Sequence, residues 1–122
     1  MSTENLKKRI EMKIALATNG ENLKAKIALH FGRANKFLIY DTEKFFFRVY
    51  LNPEISGKGL PPDFLNRLGV NAVIAFSLGP MAFEKFKKFG IRAYKAKEGT
   101  ISENIKLLEK AKLSPLSKKD IF

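Results

Sequence analysis

The sequence contains no cysteine, and this absence excludes several kinds of site at once. Disulfide bridges, thiolate nucleophiles and every cysteine-ligated zinc or iron–sulfur site are removed. Tryptophan and glutamine are absent as well, while lysine and arginine total 23. Few labile side chains combined with many charges are typical of heat-adapted proteins.

The chain also lacks long apolar runs. No segment approaches the roughly eighteen apolar residues that a membrane span needs. The N-terminal residues include Lys7, Lys8, Arg9 and Glu11 and have no apolar signal core. We therefore expect a cytoplasmic protein that does not enter a membrane.

Length and composition predict one globular domain. The 122 residues are 45% hydrophobic and 29% charged, which suits a chain with a buried core. We expect a polar lead over residues 1–11, the domain over residues 12–113, and a frayed tail containing Pro115 over residues 114–122.

The net charge of +11 predicts a surface that attracts anions. Nucleic acid, phosphates and an anionic cofactor all remain open. The alternative is a solvated, lysine-rich surface that serves solubility, because the basic residues are spread along the chain.

The first half of the domain is predicted to be an antiparallel meander. The apolar run over residues 14–17 is typical of a strand buried on both faces. Shorter strands are expected over residues 25–29 and 37–40, and alternation over residues 45–51 indicates a strand with one buried face. A flexible loop over residues 52–60 would follow.

The second half is predicted to alternate helices with strands. Helices are expected over residues 61–68, from Gly79-Pro80 to Gly90, and after the capping box Thr100-Ile101-Ser102-Glu103, with strands over residues 72–76 and 91–94. The predicted fold is α/β: one mixed sheet, an antiparallel meander and then αβαβα, with helices packed on it. Ribonuclease H-like folds share this order of elements.

Two predicted turns should open at the same edge of the sheet. Residues 77–80 and 98–100 each follow one strand of a parallel pair and each begin a helix, whose first N–H groups can bind an anion. The simpler interpretation is that Gly79 and Gly99 only make tight turns.

His30 is the single histidine and lies between an apolar run and Phe31-Gly32-Arg33. It could ligate a metal or donate a hydrogen bond, although a lone histidine more often has a packing or turn role. Arg33 could grip an anion through two parallel hydrogen bonds, or it could be an ordinary surface charge.

An ordered set of motifs runs through the predicted domain. In order they are Met12-Lys13-Ile14-Ala15, His30-Phe31-Gly32-Arg33-Ala34, Asn71-Ala72-Val73-Ile74-Ala75, Gly79-Pro80 followed by Ala82-Phe83, Gly90-Ile91, and Gly99-Thr100-Ile101. This set is similar to that of the dinitrogenase iron-molybdenum cofactor family, which includes the NifX and NifY accessory proteins and the C-terminal domain of NifB. The resemblance covers residues 12–113.

The resemblance implies a ribonuclease H-like module that transiently binds an anionic iron–sulfur or iron–molybdenum-type cofactor without catalysing a reaction. Such a module would carry the cofactor or help to mature it, with cofactor-assembly proteins as partners. The family's histidine falls on His30, which would be the metal ligand. The full set of expected cofactor-binding residues is His30, Phe31, Gly32, Arg33, Ser77, Gly79, Pro80, Gly99 and Thr100. Lys26 and Lys58 would supply outer charges.

Two departures from the family pattern matter. Phe76-Ser77 stand where many members have two glycines, and no cysteine supports the histidine. A cluster would be held by at most one histidine, by electrostatics and by N–H groups, so its binding would be weak and transferable.

Nucleic-acid binding is the second hypothesis. It rests on the net charge and on Phe46 and Tyr50 beside Arg48, although this strand face is expected to lie under helices. Ribonuclease chemistry is excluded because the strand over residues 13–18 has no carboxylate for a two-metal site, and Asp41, Asp63 and Asp120 are scattered. Hydrolase chemistry is disfavoured, since nothing marks a nucleophile near the only histidine.

Overall fold

A five-stranded mixed sheet forms the centre of the fold in the computed structural model, which describes residues 12–121. The strands are β1 (Lys13–Thr18), β2 (Lys36–Asp41), β3 (Phe46–Leu51), β4 (Ala72–Ala75) and β5 (Arg92–Lys95). Their order in the sheet is β3-β2-β1-β4-β5. The pairs β1–β2 and β2–β3 are antiparallel, whereas β1–β4 and β4–β5 are parallel. The predicted mixed α/β class is confirmed. The polar lead predicted over residues 1–11 lies outside the described residues.

Four helices occur within this part of the chain. They are α1 (Pro53–Ser56), α2 (Pro61–Arg67), α3 (Pro80–Phe89) and α4 (Ile101–Glu109). Proline at the first helical positions begins α1, α2 and α3, because its missing N–H would have no helical acceptor there. The predicted capping box between Thr100 and Glu103 begins α4. No helix in residues 12–121 is long and apolar enough to span a membrane.

The core lies on both faces of the sheet. On one face, Ala15, Ala17, Val73 and Ala75 pack with Leu65 of α2 and Phe86 of α3. On the other face, Ile14, Leu16 and Ile74 pack with Ile101, Ile105 and Leu108 of α4. Because β1 and β4 are buried on both faces, they are apolar throughout their central residues. The layers are therefore α2 and α3, then the sheet, then α4.

The strand predicted over residues 25–29 is wrong. Ile27 forms a single bridge with Thr18, while its neighbour Lys26 forms one with Thr100. Successive residues thus have partners in different parts of the fold, so no continuous ladder develops. The segment crosses from the end of β1 to the beginning of α4.

β3 begins one residue later than the alternating pattern predicted, because a turn precedes it. Phe45, predicted to begin the strand, has φ 56° and is 74% exposed in the turn that precedes β3. The loop predicted over residues 52–60 contains α1, because Asn52 accepts a hydrogen bond from the N–H of Glu54 and Pro53 follows it.

The frayed tail predicted after Leu113 is also wrong. The N–H of Lys95 donates to the carbonyl oxygen of Ser114 at 2.7 Å, and the N–H of Leu116 donates to that of Ala93 at 3.0 Å. Leu116 is only 7% exposed and belongs to the core under α3. Ser114 and Leu116 are bonded in this way because β5 is an edge strand and offers them backbone partners.

Candidate functional site

A cleft of about 240 Å³ opens between the one-turn 3₁₀ segment Phe31–Arg33 and the beginning of α3. Seven of the nine predicted site residues line it: His30, Phe31, Gly32, Arg33, Ser77, Gly79 and Pro80. The turn after β1 and the turn after β4 meet here because these strands are parallel neighbours whose carboxyl ends share one edge of the sheet.

Phe31 anchors the first wall of the cleft. It is 3% exposed, and its ring lies 4.9 Å from that of Phe37 and 5.7 Å from that of Phe86, measured between centroids. The flanking residues His30 and Arg33 are exposed, and the N–H of Arg33 donates to the carbonyl oxygen of His30 at 3.2 Å. A core phenylalanine therefore holds a histidine and an arginine at the surface beside the cleft.

Asn52 fixes this same wall, and sequence reasoning missed it. Its side chain is buried and donates to the carbonyl oxygens of Gly32 at 3.2 Å and Ala34 at 2.8 Å, while its oxygen accepts from Glu54. Asparagine followed by proline is typical of a helix start, so the dipeptide Asn52-Pro53 could have indicated α1. Asn52 also bonds to residues 30–34, which form the histidine turn. These bonds could not be predicted from the sequence, since they join residues about twenty positions apart.

The beginning of α3 forms the second wall. Its N-cap residue Gly79 makes no side-chain capping bond, and Pro80 has no N–H. The first N–H groups of a helix have no acceptor within the helix and carry part of its positive dipole. Met81 and Ala82, which supply such groups, both line the cleft. This wall is therefore suited to an anion.

Met81 is a second lining residue that the sequence did not reveal. Its side chain is 54% exposed, although methionine is usually buried. It contributes the only sulfur atom among the lining residues. A thioether is a soft donor that suits soft metal centres.

Gly32 and Gly79 leave open space in the cleft. A Cβ atom added at either position would meet no other atom within 4 Å, and neither residue has the left-handed backbone that favours glycine. Gly90, which ends α3, differs because its φ is 74°. The fold itself does not require glycine at positions 32 and 79. A ligand that approaches the backbone closely would require it.

Gly99 and Thr100 do not line this cleft. At the beginning of α4, the N–H of Ile101 donates to Ala25 and that of Ser102 donates to Leu23, both at 2.9 Å. The segment misread as a strand thus supplies acceptors for the first turn of α4. Of the two predicted helix starts only the first lines the cleft, and Lys26 and Lys58 are not lining residues either.

The electrostatics of the cleft are mixed. Arg33 and the α3 dipole are positive, whereas Glu54 places one carboxylate among the lining residues. Behind the cleft, Lys85 of α3 lies 2.7 Å from Asp63 of α2 and joins the two helices that begin there. The hydrogen bond from Lys85 holds the pKa of Asp63 below its ordinary value.

Metal binding would depend on few protein ligands. No group of three or more His, Asp or Glu side chains placed to hold a metal occurs in residues 12–121, and cysteine is absent. A larger groove of about 540 Å³ lies between α3 and β5, but its lining includes no histidine and no predicted site residue.

Comparison with known proteins decides the family. Residues 12–111 match the family model described as dinitrogenase iron-molybdenum cofactor. The chain belongs to this family. The resemblance predicted from the motifs is confirmed, and it connects this small protein with an iron–molybdenum cofactor.

Three proteins resemble this chain in sequence or in structure. An uncharacterised protein of Methanocaldococcus jannaschii is 34% identical over an alignment of 117 positions, which covers 84% of this chain and 89% of that protein. A candidate NifB protein from Thermotoga has a similar structure, with a TM-score of 0.74, 29% identity and coverage of 86% and 93% of the two chains. A candidate dinitrogenase from Methanocaldococcus jannaschii gives a TM-score of 0.72, 30% identity and coverage of 88% and 97%. All three chains are similar to this one over most of their length.

Proposed function

We propose that this chain is a non-catalytic binding module for an anionic iron–molybdenum-type or iron–sulfur cofactor, which it carries or helps to mature. The observation that carries the proposal is the cleft in which His30 and Arg33 face the uncapped beginning of α3. Family membership supplies the class of ligand. We further propose that the strand order β3-β2-β1-β4-β5 represents a ribonuclease H-like topology.

The residues present fit such a cofactor. Gly32 and Gly79 leave open space beside the backbone, so a ligand could approach the main chain closely there. Arg33 and the first N–H groups of α3 offer hydrogen-bond donors and positive charge to an anion. At about 240 Å³ the cleft is smaller than the roughly 300–1,000 Å³ of most ligand pockets, so it would cover one side of a compact ligand.

His30 and Met81 would be the metal-directed groups. An imidazole nitrogen and a thioether sulfur are both neutral ligands, and neither forms the strong bond of a thiolate. When bound, the cofactor would supply the metal chemistry, and the chain would supply only orientation and partial exclusion of water. Weak attachment through neutral ligands suits a protein that must release its cargo to cofactor-assembly proteins.

The arrangement of the other polar groups favours binding over catalysis. Asp41, Asp63 and Asp120 lie in β2, α2 and the C-terminal segment respectively, so they do not form a carboxylate cluster. Asp63 and Asp120 are each engaged by a lysine. Glu54 is the single carboxylate of the cleft, which is too few for two-metal hydrolysis.

The proposal is tested by mixing the purified chain anaerobically with isolated iron–molybdenum cofactor and following iron and molybdenum through gel filtration. We expect both metals to elute with the wild-type chain and to be much reduced with His30→Ala and with Arg33→Met. Arg92→Met is the matched control, because Arg92 is exposed in β5 and does not line the cleft. His30 is exposed and belongs to a short turn, so His30→Ala should still fold, which a melting curve would check. Absence of metal from the wild-type fraction would contradict the proposal.

Nucleic-acid binding is a second candidate, supported by one further feature. The exposed Arg48 lies 5.8 Å from the ring centroid of the exposed Phe46, and both line a groove with Lys13 and Lys44. Tyr50 is less available for stacking against a base, since its ring packs against that of Phe64 of α2. Retardation of single-stranded RNA at low salt, lost with Arg48→Met, would favour this candidate.

A further inference from the structure

We infer that residues 117–121 hold the turn between β4 and α3 in the position that forms the second wall of the cleft, with Asp120 as the positioning residue. This inference rests on the proposed function, because the wall matters only if the cleft binds a ligand. Residues 117–121 lie beyond residue 111, where the family match ends, and their partners in these contacts lie within it.

The first contact is made by the backbone. The N–H of Leu78 donates to the carbonyl oxygen of Asp120 at 3.2 Å, and Ile121 forms a parallel bridge with Leu78. Leu78 is 1% exposed and lies between Ser77 and Gly79, which both line the cleft. The C-terminal segment therefore contacts the central residue of the turn, although neither Asp120 nor Ile121 lines the cleft.

The second contact is made by side chains. The ammonium group of Lys95, at the end of β5, donates to the carbonyl oxygen of Phe76 at 2.6 Å and lies 3.0 Å from the Asp120 carboxylate. Phe76 immediately precedes Ser77. Asp120 also accepts from the backbone N–H of Ser117 at 2.9 Å, which closes its own 3₁₀ turn. Lys95 thus joins the exit of β4 to the C-terminal segment.

These contacts give the two walls of the cleft separate supports. The histidine turn is held by Asn52 and Phe31, which are both buried. Among residues 12–121 no buried side-chain amide bonds to the α3 wall, and its turn is held instead by Asp120 and Lys95. Loss of the outer support should move Ser77 and Gly79 relative to His30. A site loosened by a small displacement loses affinity even when every ligand residue is still present.

The experiment compares Asp120→Asn and Lys95→Met with Glu103→Gln. The Glu103 variant is the matched control, because Glu103 is likewise the carboxylate of a capping box but belongs to α4, away from the cleft. Amide hydrogen exchange at Leu78 and the chemical shifts of Ser77 and Gly79 report the wall without any ligand. Affinity for isolated iron–molybdenum cofactor reports the consequence for binding.

We expect faster exchange at Leu78 in both tail variants and cofactor affinity lowered by about fivefold or more, with neither change in Glu103→Gln. Exchange and shifts equal to those of the control would overturn the inference. Faster exchange with affinity within about twofold of the wild type would overturn it too, since the segment would then be only structural. If the wild-type chain binds no cofactor, the proposed function fails, and the exchange data still decide whether the segment holds the turn.

Discussion

The side-chain amide of Asn52 donates a hydrogen bond of 2.8 Å to the carbonyl oxygen of Ala34. Through this bond, a residue at the beginning of α1 holds the end of the histidine turn. Asn52 also accepts from Glu54 and donates to Gly32, so one buried side chain serves a helix start and a wall of the cleft. The position of His30 therefore depends on a residue that would never contact the ligand.

Asn52→Ala should destabilise the protein by about 2 to 3 kcal/mol, because buried carbonyl groups lose their donors and α1 loses its cap. Urea unfolding would measure this loss. Asn66→Ala is the control, since Asn66 is exposed at the end of α2 and should change stability little. Equal stability of the two variants would contradict the role assigned to Asn52.

Gly32→Ala should preserve the fold and impair binding. The added methyl group enters open space at an ordinary backbone conformation, so stability should stay the same or rise by up to about 1 kcal/mol. The same methyl group would occupy the cleft and lower cofactor affinity. Gly90→Ala should behave in the opposite way, losing about 1 to 2 kcal/mol because of its positive φ while binding normally. Thermal melts and the gel-filtration measurement separate the two effects.

Met81→Leu tests the thioether. The substitution keeps an apolar side chain of similar volume but removes the only sulfur atom that lines the cleft. Since Met81 is 54% exposed, we expect unchanged stability. Cofactor retention in gel filtration should fall, and X-ray absorption at the metal edge should show loss of a protein sulfur neighbour. Identical spectra of the two proteins would show that Met81 contributes only apolar surface.

Acid should release the C-terminal segment from the turn. The N–H of Ser117 and the ammonium group of Lys95 hold the pKa of Asp120 below its ordinary value of 3.8. The stabilisation from Asp120 is thus complete above the ordinary pKa and is lost as the pH falls through the lower folded-state pKa. Protection of the Leu78 amide should decrease over this interval. In Asp120→Asn that decrease should be absent, which separates it from the titration of other carboxylates.

Strong local patterns made much of the fold predictable. Pro80 and Gly90 mark the two ends of α3, and the unbroken apolar run of β1 indicated burial on both faces. The position of residues 114–116 could not be predicted in this way. Ser114 and Leu116 are ordered by the free edge of β5, and no periodicity within the segment itself indicates that pairing.

Part of the candidate site was predictable from one rule, which is that the carboxyl ends of neighbouring parallel strands lie at the same edge of the sheet. That rule predicted that residues 77–80 and 98–100 would open at one edge, and the family resemblance added His30 to them. In the structure residues 77–80 line a cleft with His30, because β1 and β4 are neighbours. Gly99 does not line it, and the segment before His30 crosses to α4 and supplies its acceptors. Asn52 was missed because its role comes from hydrogen bonds to residues distant in the sequence. Met81 was missed because its role comes from the exposure of its side chain beside the cleft.

The two edge strands of the sheet, β3 and β5, differ in whether another segment of the chain pairs with them. Residues 114–116 lie along β5, whereas no strand in residues 12–121 lies beside the outer edge of β3. Within residues 12–121, β3 is thus the edge strand that no other segment covers. An uncovered edge strand is where a further strand can add by main-chain hydrogen bonds. Two copies that paired in this way would join β3 to β3 and form one sheet of ten strands.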